Sequence, residues 1–321
     1  METDILRATR CLAAAAMMLV VLPAAEADPV SELASFSVFD KVDLPQLAKG
    51  EAKPMRGAPM STPRFLSVQT AWVAPGSPAS VAEAMRRWSP TNHQELKVYM
   101  HSNGSDFGRL AQAPNNPAVQ ALVNATVTKS ADLQISREEA AKLPSSGNGM
   151  AGPVASFWSG VLSARASAGP FGQPPYDHTG EAIKAGDEIN ALLRQQPKIQ
   201  KQFNGLISGG GDKFWELIGV SQKGVLTLGA SYNRQASGGS YQAADVLYYA
   251  SGGYYVAVTL YQMWPVEVDG KASTLIWRGD MISSAELAGL AGVERMGSES
   301  AMIRDISRAV RLFRRDTGAA R

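Results

Sequence analysis

The sequence predicts an α+β fold. An antiparallel β-meander of about five strands, within residues 214–281, packs with several helices and is closed by an amphipathic C-terminal helix. Three observations predict it. First, from Phe214 to Met281 the apolar residues recur at a period of two. Second, the connections in this stretch are short and turn-rich: Gly238-Gly239, Ser251-Gly252-Gly253 and Asp269-Gly270. Short turns join antiparallel strands, whereas parallel pairing needs a long crossover. Third, Met302, Ile303, Ile306, Ala309, Val310 and Phe313 share one face of a helix over about 298–315.

Residues 1–27 read as a secretory signal peptide. Arg7 and Arg10 precede an 11-residue apolar core from Leu12 to Leu22, and Ala25-Glu26-Ala27 supplies small residues for cleavage after Ala27. The core is shorter than the roughly 20 residues a membrane span requires. No later apolar run approaches that length, so no transmembrane segment is expected after cleavage. The expected product is exported, periplasmic or secreted. It lacks the only cysteine, Cys11, and must be stable without disulfides. Residues 28–61, rich in Ala, Pro and Lys, read as an extended leader lying on a single α+β domain of residues 62–321.

Within that domain, the alternation Leu66, Val68, Thr70, Trp72 marks a strand. Ser77-Pro78 starts a helix whose apolar face is Val81, Ala84, Met85 and Trp88. A second strand runs through Leu96, Val98 and Met100, and Asn116-Pro117 opens a helix carrying Val119, Leu122 and Val123. Leu133–Ile135 reads as a short strand, followed by a capping box from Ser136 to Glu139. Further helices are expected over about 154–166, from an Asp187 cap to Gln196, and from Pro197 to the Ser208-Gly209-Gly210-Gly211 stop. The five meander strands are Phe214–Val220, Val225–Tyr232, Tyr241–Ala250, Tyr254–Trp264 and Ser273–Met281.

Charge excludes one class of function. The chain carries 31 Lys+Arg against 29 Asp+Glu. Past residue 27 the balance is 29 to 26, and residues 300–321 alone hold six Arg and two Asp. The body is therefore near neutral, and the basic character belongs to the terminal helix. A nucleic-acid binder normally shows a strongly basic domain, so none is expected here.

The meander carries the candidate ligand site. Seven of nine tyrosines fall between Tyr232 and Tyr261. In the strand from Tyr254, the even residues are mostly aliphatic, while the odd face mixes Tyr255, Ala257, Thr259, Tyr261 and Met263 without a charge. Either both faces are covered or one lines a pocket. Tyrosine suits a pocket because it joins an apolar ring to a hydroxyl. The candidate ligand residues are Tyr249, Tyr255, Thr259, Tyr261 and Arg278, with Glu216, Asp245 and Asp280 as nearby strand carboxylates. A second candidate is the proline-fixed loop bearing Tyr176, Asp177 and His178. A third is the arginine face Arg304, Arg308 and Arg311, suited to an anionic membrane surface or acidic partner.

The element order is similar, at the level of the fold, to the helix-grip lipid carriers of the START-like group. Strand and helix segments precede a long antiparallel meander and a C-terminal helix. In that group the terminal helix closes a cavity inside a curved sheet. No motif carries the similarity, so it bears on architecture alone.

No metal-ligand spacing joins His93, His101 and His178, and no nucleophile elbow, phosphate loop or dinucleotide fingerprint is present. No catalytic residue, metal or cofactor is predicted. The expected function is a non-enzymatic exported binder or carrier of an apolar or amphipathic small molecule or lipid. The alternatives are an envelope-associated interaction protein using the arginine face, and a hydrolase using His178, Asp177 or the strand carboxylates.

Overall fold

The computed structural model describes residues 28–50 and 52–318. The predicted signal peptide, its cleavage site and Cys11 lie outside the described residues. The chain runs through α1 (Pro29–Phe36), α2 (Leu44–Ala48), β1 (Lys53–Arg56), β2 (Phe65–Pro75), α3 (Pro78–Arg87), β3 (Val98–Asn103) and α4 (Pro117–Val127). It continues through α5 (Arg137–Ala140), α6 (Gly152–Ala168), α7 (Ala185–Arg194) and α8 (Pro197–Gln202). The meander follows: β4 (Asp212–Val220), β5 (Lys223–Gln235), β6 (Tyr241–Ala250), β7 (Val256–Val268) and β8 (Lys271–Ser283). Then come α9 (Ala285–Ala288) and α10 (Gly292–Asp316).

The fold is α+β, as predicted. All eight strands form one antiparallel sheet in the order β1-β2-β8-β7-β6-β5-β4-β3. The five meander strands stand together, and β1, β2 and β3 extend the sheet at its two ends. Two hairpin turns explain the tight connections. Ser221 and Gln222 (φ 46° and 68°) and Asp269 and Gly270 (φ 52° and 71°) each place two consecutive residues at positive φ. That is the pattern whose twist matches paired strands.

Strand parity divides the core in two. Phe65, Ala71 and Val73 of β2, Val256, Val258, Leu260 and Trp264 of β7, and Leu275 and Trp277 of β8 belong to the larger core. Leu33 of α1, Val119 and Leu122 of α4, Trp158 and Leu162 of α6, and Ile189 of α7 cover them. The alternate residues Leu66, Val68, Trp72, Tyr261, Met263 and Ile276 form a second core with Val81 of α3, Leu287 of α9, and Ile306 and Val310 of α10. The sheet is thus packed on both faces over β2 and over the Tyr261–Met263 and Ile276 stretches of β7 and β8, while Ala257, Thr259 and Ile282 of the same face stay half-buried.

Several expectations change. The predicted extended leader 28–61 contains α1, α2 and β1, and it buries Leu33, Phe36, Phe39 and Leu47. Asp28 and Asp43 start the helices by accepting from the backbone N–H of Ser31 and Gln46. The second helix has only five residues, too short to leave a helical period. Leu133–Ile135 is a loop; its Gln134 N–H binds the Ser251 carbonyl outside any ladder. Lys184, not Asp187, is the N-cap of α7, and Asp187 lies in the first turn, where its charge suits the helix dipole. Helix α10 starts at Gly292, earlier than expected. Its Arg314 is buried and donates to the carbonyls of Leu47 and Ala48.

Candidate ligand-binding cleft and the polar row of the sheet

At one end of the sheet, the β4–β5 turn and the β6–β7 connection meet α4 and the loops 131–135 and 176–183. Together they enclose a cleft of about 510 Å³. Its apolar walls include Leu122 and Ala125 of α4, Leu133, Ile183, Val225 and Tyr255. Its polar lining includes His178, Thr179, Ser251 and the Lys223–Asp132 ion pair, 2.7 Å long at the exposed rim.

The loop bearing Tyr176, Asp177 and His178 is held by several hydrogen bonds. Tyr176 and Ile183 exchange backbone hydrogen bonds of 2.8 and 3.2 Å. The His178 N–H donates to the Ile135 carbonyl, and the Thr179 hydroxyl donates to the Ala131 carbonyl. The Tyr176 ring stacks on Tyr249 and Tyr255, with centroids 6.0 and 5.9 Å apart. Its hydroxyl donates to the Tyr255 carbonyl at 3.1 Å and accepts from the Ala250 N–H at 3.3 Å. Burial pushes this hydroxyl up to about 12, so it is neutral at physiological pH. The cleft is thus backed by fixed rings. His178 Nε2 is buried and has no hydrogen-bond partner among the described residues.

Beneath the tyrosines lies a buried ion pair. Arg165 of α6 donates to Glu139 through two nitrogens, at 2.8 and 2.6 Å. Its guanidinium lies 4.3 Å from the Tyr249 ring centroid and 5.2 Å from that of Tyr176. Glu139 is also the N3 residue of the predicted capping box, which forms with both of its hydrogen bonds. One side chain therefore caps α5 and neutralises the arginine that supports the cleft.

The predicted ligand residues separate into two places. Tyr249 is buried in the larger core and Tyr255 faces the cleft. The expected parity of Tyr254 and Tyr255 is overturned. Tyr254 packs with Leu247, Ala257 and Ile282 on the second face, while Tyr255 joins the larger core. The cause is the turn at Gly253, where φ is 81°; regular β7 begins only at Val256. Tyr249 is displaced by an irregularity where Leu228 pairs with Tyr249 but Gly229 pairs with Leu247, which leaves Tyr248 unpaired.

Thr259, Tyr261 and Arg278 do share a face. Register aligns Ser231, Asp245, Thr259 and Asp280 as one polar row across β5, β6, β7 and β8. Arg278 binds Asp280 through two nitrogens (2.8 and 2.7 Å) and covers the Tyr261 ring at 5.5 Å. Thr259 donates to Asp280 at 3.0 Å. Asp245 accepts from the Ser231 hydroxyl at 2.5 Å, and burial raises its carboxyl above the ordinary range. On the adjoining strands, His101 Nδ1 meets Glu216 Oε1 at 3.0 Å, and this bond raises the imidazole above its usual value.

These positions bear on the other candidates. Asp177 Oδ1 accepts from the Arg137 N–H, and Asp177 is not among the cleft residues, so it does not join His178 in a dyad there. The three strand carboxylates lie outside the cleft as well. His93 is buried against Asp316 at 2.7 Å and stacks on Trp88, which fastens the end of α10 to α3. Arg304 and Arg311 are exposed, and Arg308 pairs with Asp305 at 3.0 Å. Among the described residues, no group of three or more His, Cys, Asp or Glu is placed to hold a metal ion. No described helix is long and apolar enough to cross a membrane.

No protein-family model matches the chain, and no curated protein matches it. Part of the fold is similar to a START superfamily protein from Mycobacterium smegmatis, at 13% identity and TM-score 0.22, over 30% of this chain and 63% of that one. It is also similar to Ara h 8.0201, at 10% identity and TM-score 0.21, over 34% of this chain and 70% of that one. The chain thus spans about 63% of the length of the first. Similarity at this level does not bear on what the chain binds.

Proposed function

We propose that the protein is a non-enzymatic binder of an apolar or amphipathic small molecule, held in the cleft at the end of the sheet. One observation carries the reading. The cleft of about 510 Å³ joins apolar walls and the stacked Tyr176 and Tyr255 rings to a few polar lining residues, His178, Thr179 and Ser251 among them. Ligand pockets typically occupy about 300–1,000 Å³ and are mostly apolar with a few placed polar groups. The secretory leader read in residues 1–27 adds that the binder acts outside the cytoplasm; the intact mass of the mature protein tests cleavage after Ala27.

The binding reading is tested by fluorescence titration with N-phenyl-1-naphthylamine, a neutral apolar probe. The protein is expected to bind it with a blue shift at about one equivalent, and Ala125→Phe, which fills the cleft from α4, is expected to abolish the signal. Equal signals from both proteins would refute the assignment.

A second reading uses the basic face of α10. Arg304 and Arg311 are exposed and have no ion pair among the described residues. Reversing Arg304, Arg308 and Arg311 to Glu should release the protein from vesicles containing anionic lipid; unchanged binding removes this reading.

A further inference from the structure

We propose that the second face of the sheet holds a separate binding site for an organic cation with an apolar tail, its ammonium group held by Asp245. Helix α10 lies along β1 and β2, and α3 lies against β6, β7 and β8. Between them and the β3 edge the face stays half-buried: Phe214, Glu216, Ser231, Asp245, Leu247, Ala257, Thr259 and Ile282 all keep part of their surface.

The register lays out a two-row surface. Ser231, Asp245, Thr259 and Asp280 form the polar row. One step along each strand, Gly229, Leu247, Ala257 and Ile282 form an apolar row. Phe214 extends the apolar row, because its ring lies over Gly229, where a Cβ would come within 2.5 Å of it. A molecule with a polar head and an apolar tail matches these adjacent rows.

The charges set the sign of the head. Arg278 is committed to Asp280 by a two-point bond, and His101 is committed to Glu216. Asp245 alone among these carboxylates has no cation within ion-pair distance among the described residues; its bond is to the Ser231 hydroxyl. Its burial already disfavours the charged form. Arg278, turned to Asp280, acts on Asp245 only from beyond ion-pair distance, so an incoming ammonium supplies the direct ion pair, with the second carboxylate oxygen as acceptor. An anionic head would instead meet Asp245, Asp280 and Glu216. The cation is organic rather than a metal ion, because no trio of ligating side chains is in place among the described residues. This site shares no lining residue with the end cleft.

Calorimetric titration of the full chain with octylammonium, octanoate and octanol tests the proposal. Octylammonium should bind at least about tenfold more tightly than either matched probe, and Asp245→Asn should weaken it by about tenfold or more. Leu247→Ser should weaken octylammonium further through its tail. Equal affinity for octylammonium and octanoate in the wild type overturns the proposal, and this comparison needs no variant to fold. Octylammonium affinity unchanged in Asp245→Asn overturns it too. So does octylammonium binding that is lost on Ala125→Phe but kept in Asp245→Asn, since that ligand occupies the end cleft.

Discussion

On the helix-covered face, the Arg165 guanidinium is fully buried and meets Glu139 at two points, with tyrosine rings above it. On the second face, Asp245 is only half-buried as a residue, and its carboxyl meets one hydroxyl. Both groups are desolvated, but only the first is ion-paired; Arg278, bonded to Asp280, acts on Asp245 from beyond ion-pair distance. The difference separates a charge that maintains structure from one left open to a partner. Arg165 is enclosed by α6, the α5 cap and the Tyr176 loop, so nothing from solvent can replace Glu139. Asp245 borders a half-buried apolar row and can accept a cation from outside.

The largest expected effect breaks the enclosed side of this comparison. Arg165→Met should cost about 3–5 kcal/mol, because Glu139 is left charged and unpaired in the core. Adding Glu139→Gln, which retains an acceptor for the cap, should recover much of that loss; urea unfolding of the single and double variants measures it. If the single variant costs no more than the double, the pair is not coupled as described.

The next effect is steric and lies on the second face. Gly229→Ala should cost about 1–3 kcal/mol, because the new methyl meets the Phe214 ring and Leu247. A loss of that size by chemical denaturation, with a changed His101 environment in NMR spectra, would show that the Phe214 ring, stacked on His101 at 6.1 Å, forms part of this surface.

The smaller effects are titrations of opposite sense. Glu216 raises His101 above 6.5, so its stabilisation is fully present below that value and is lost as pH rises through the folded-state value. His101→Gln should flatten that decline in melting temperature, by the equivalent of about 1 kcal/mol or less. The carboxyl of Asp245 is raised above 3.8 by burial, so the folded state binds its proton more tightly than the unfolded chain does. Stability should fall as pH rises from 3.8 through the folded-state value. Asp245→Asn should remove that slope and gain up to about 1 kcal/mol at neutral pH. If the substitution destabilises the protein instead, Asp245 has an internal counter-charge and the contrast with Arg165 fails.

Much of the fold was legible because its signals are local. The meander follows from two-residue periodicity and Gly-rich turns, and the caps at Ser77, Asn116 and Ser136 form as their spacing predicts. The loop with Tyr176 and His178 stood out through its prolines. What was not legible depends on contacts across strands. His101 and Glu216 are 115 positions apart, and Arg165 and Glu139 are 26 apart. The unpaired Tyr248 and the positive φ of Gly253 moved Tyr249 and Tyr255 away from Thr259 and Tyr261, and strict alternation carries no trace of either. The polar row emerges only when register sets Ser231, Asp245, Thr259 and Asp280 side by side.

The end cleft as a ligand site is the central claim, and native mass spectrometry of the protein recovered from its own host tests it most directly. The wild type should carry a single small-molecule adduct that solvent extraction removes and that Ala125→Phe lacks. A wild type at its bare chain mass, or the same adduct on both proteins, would contradict it.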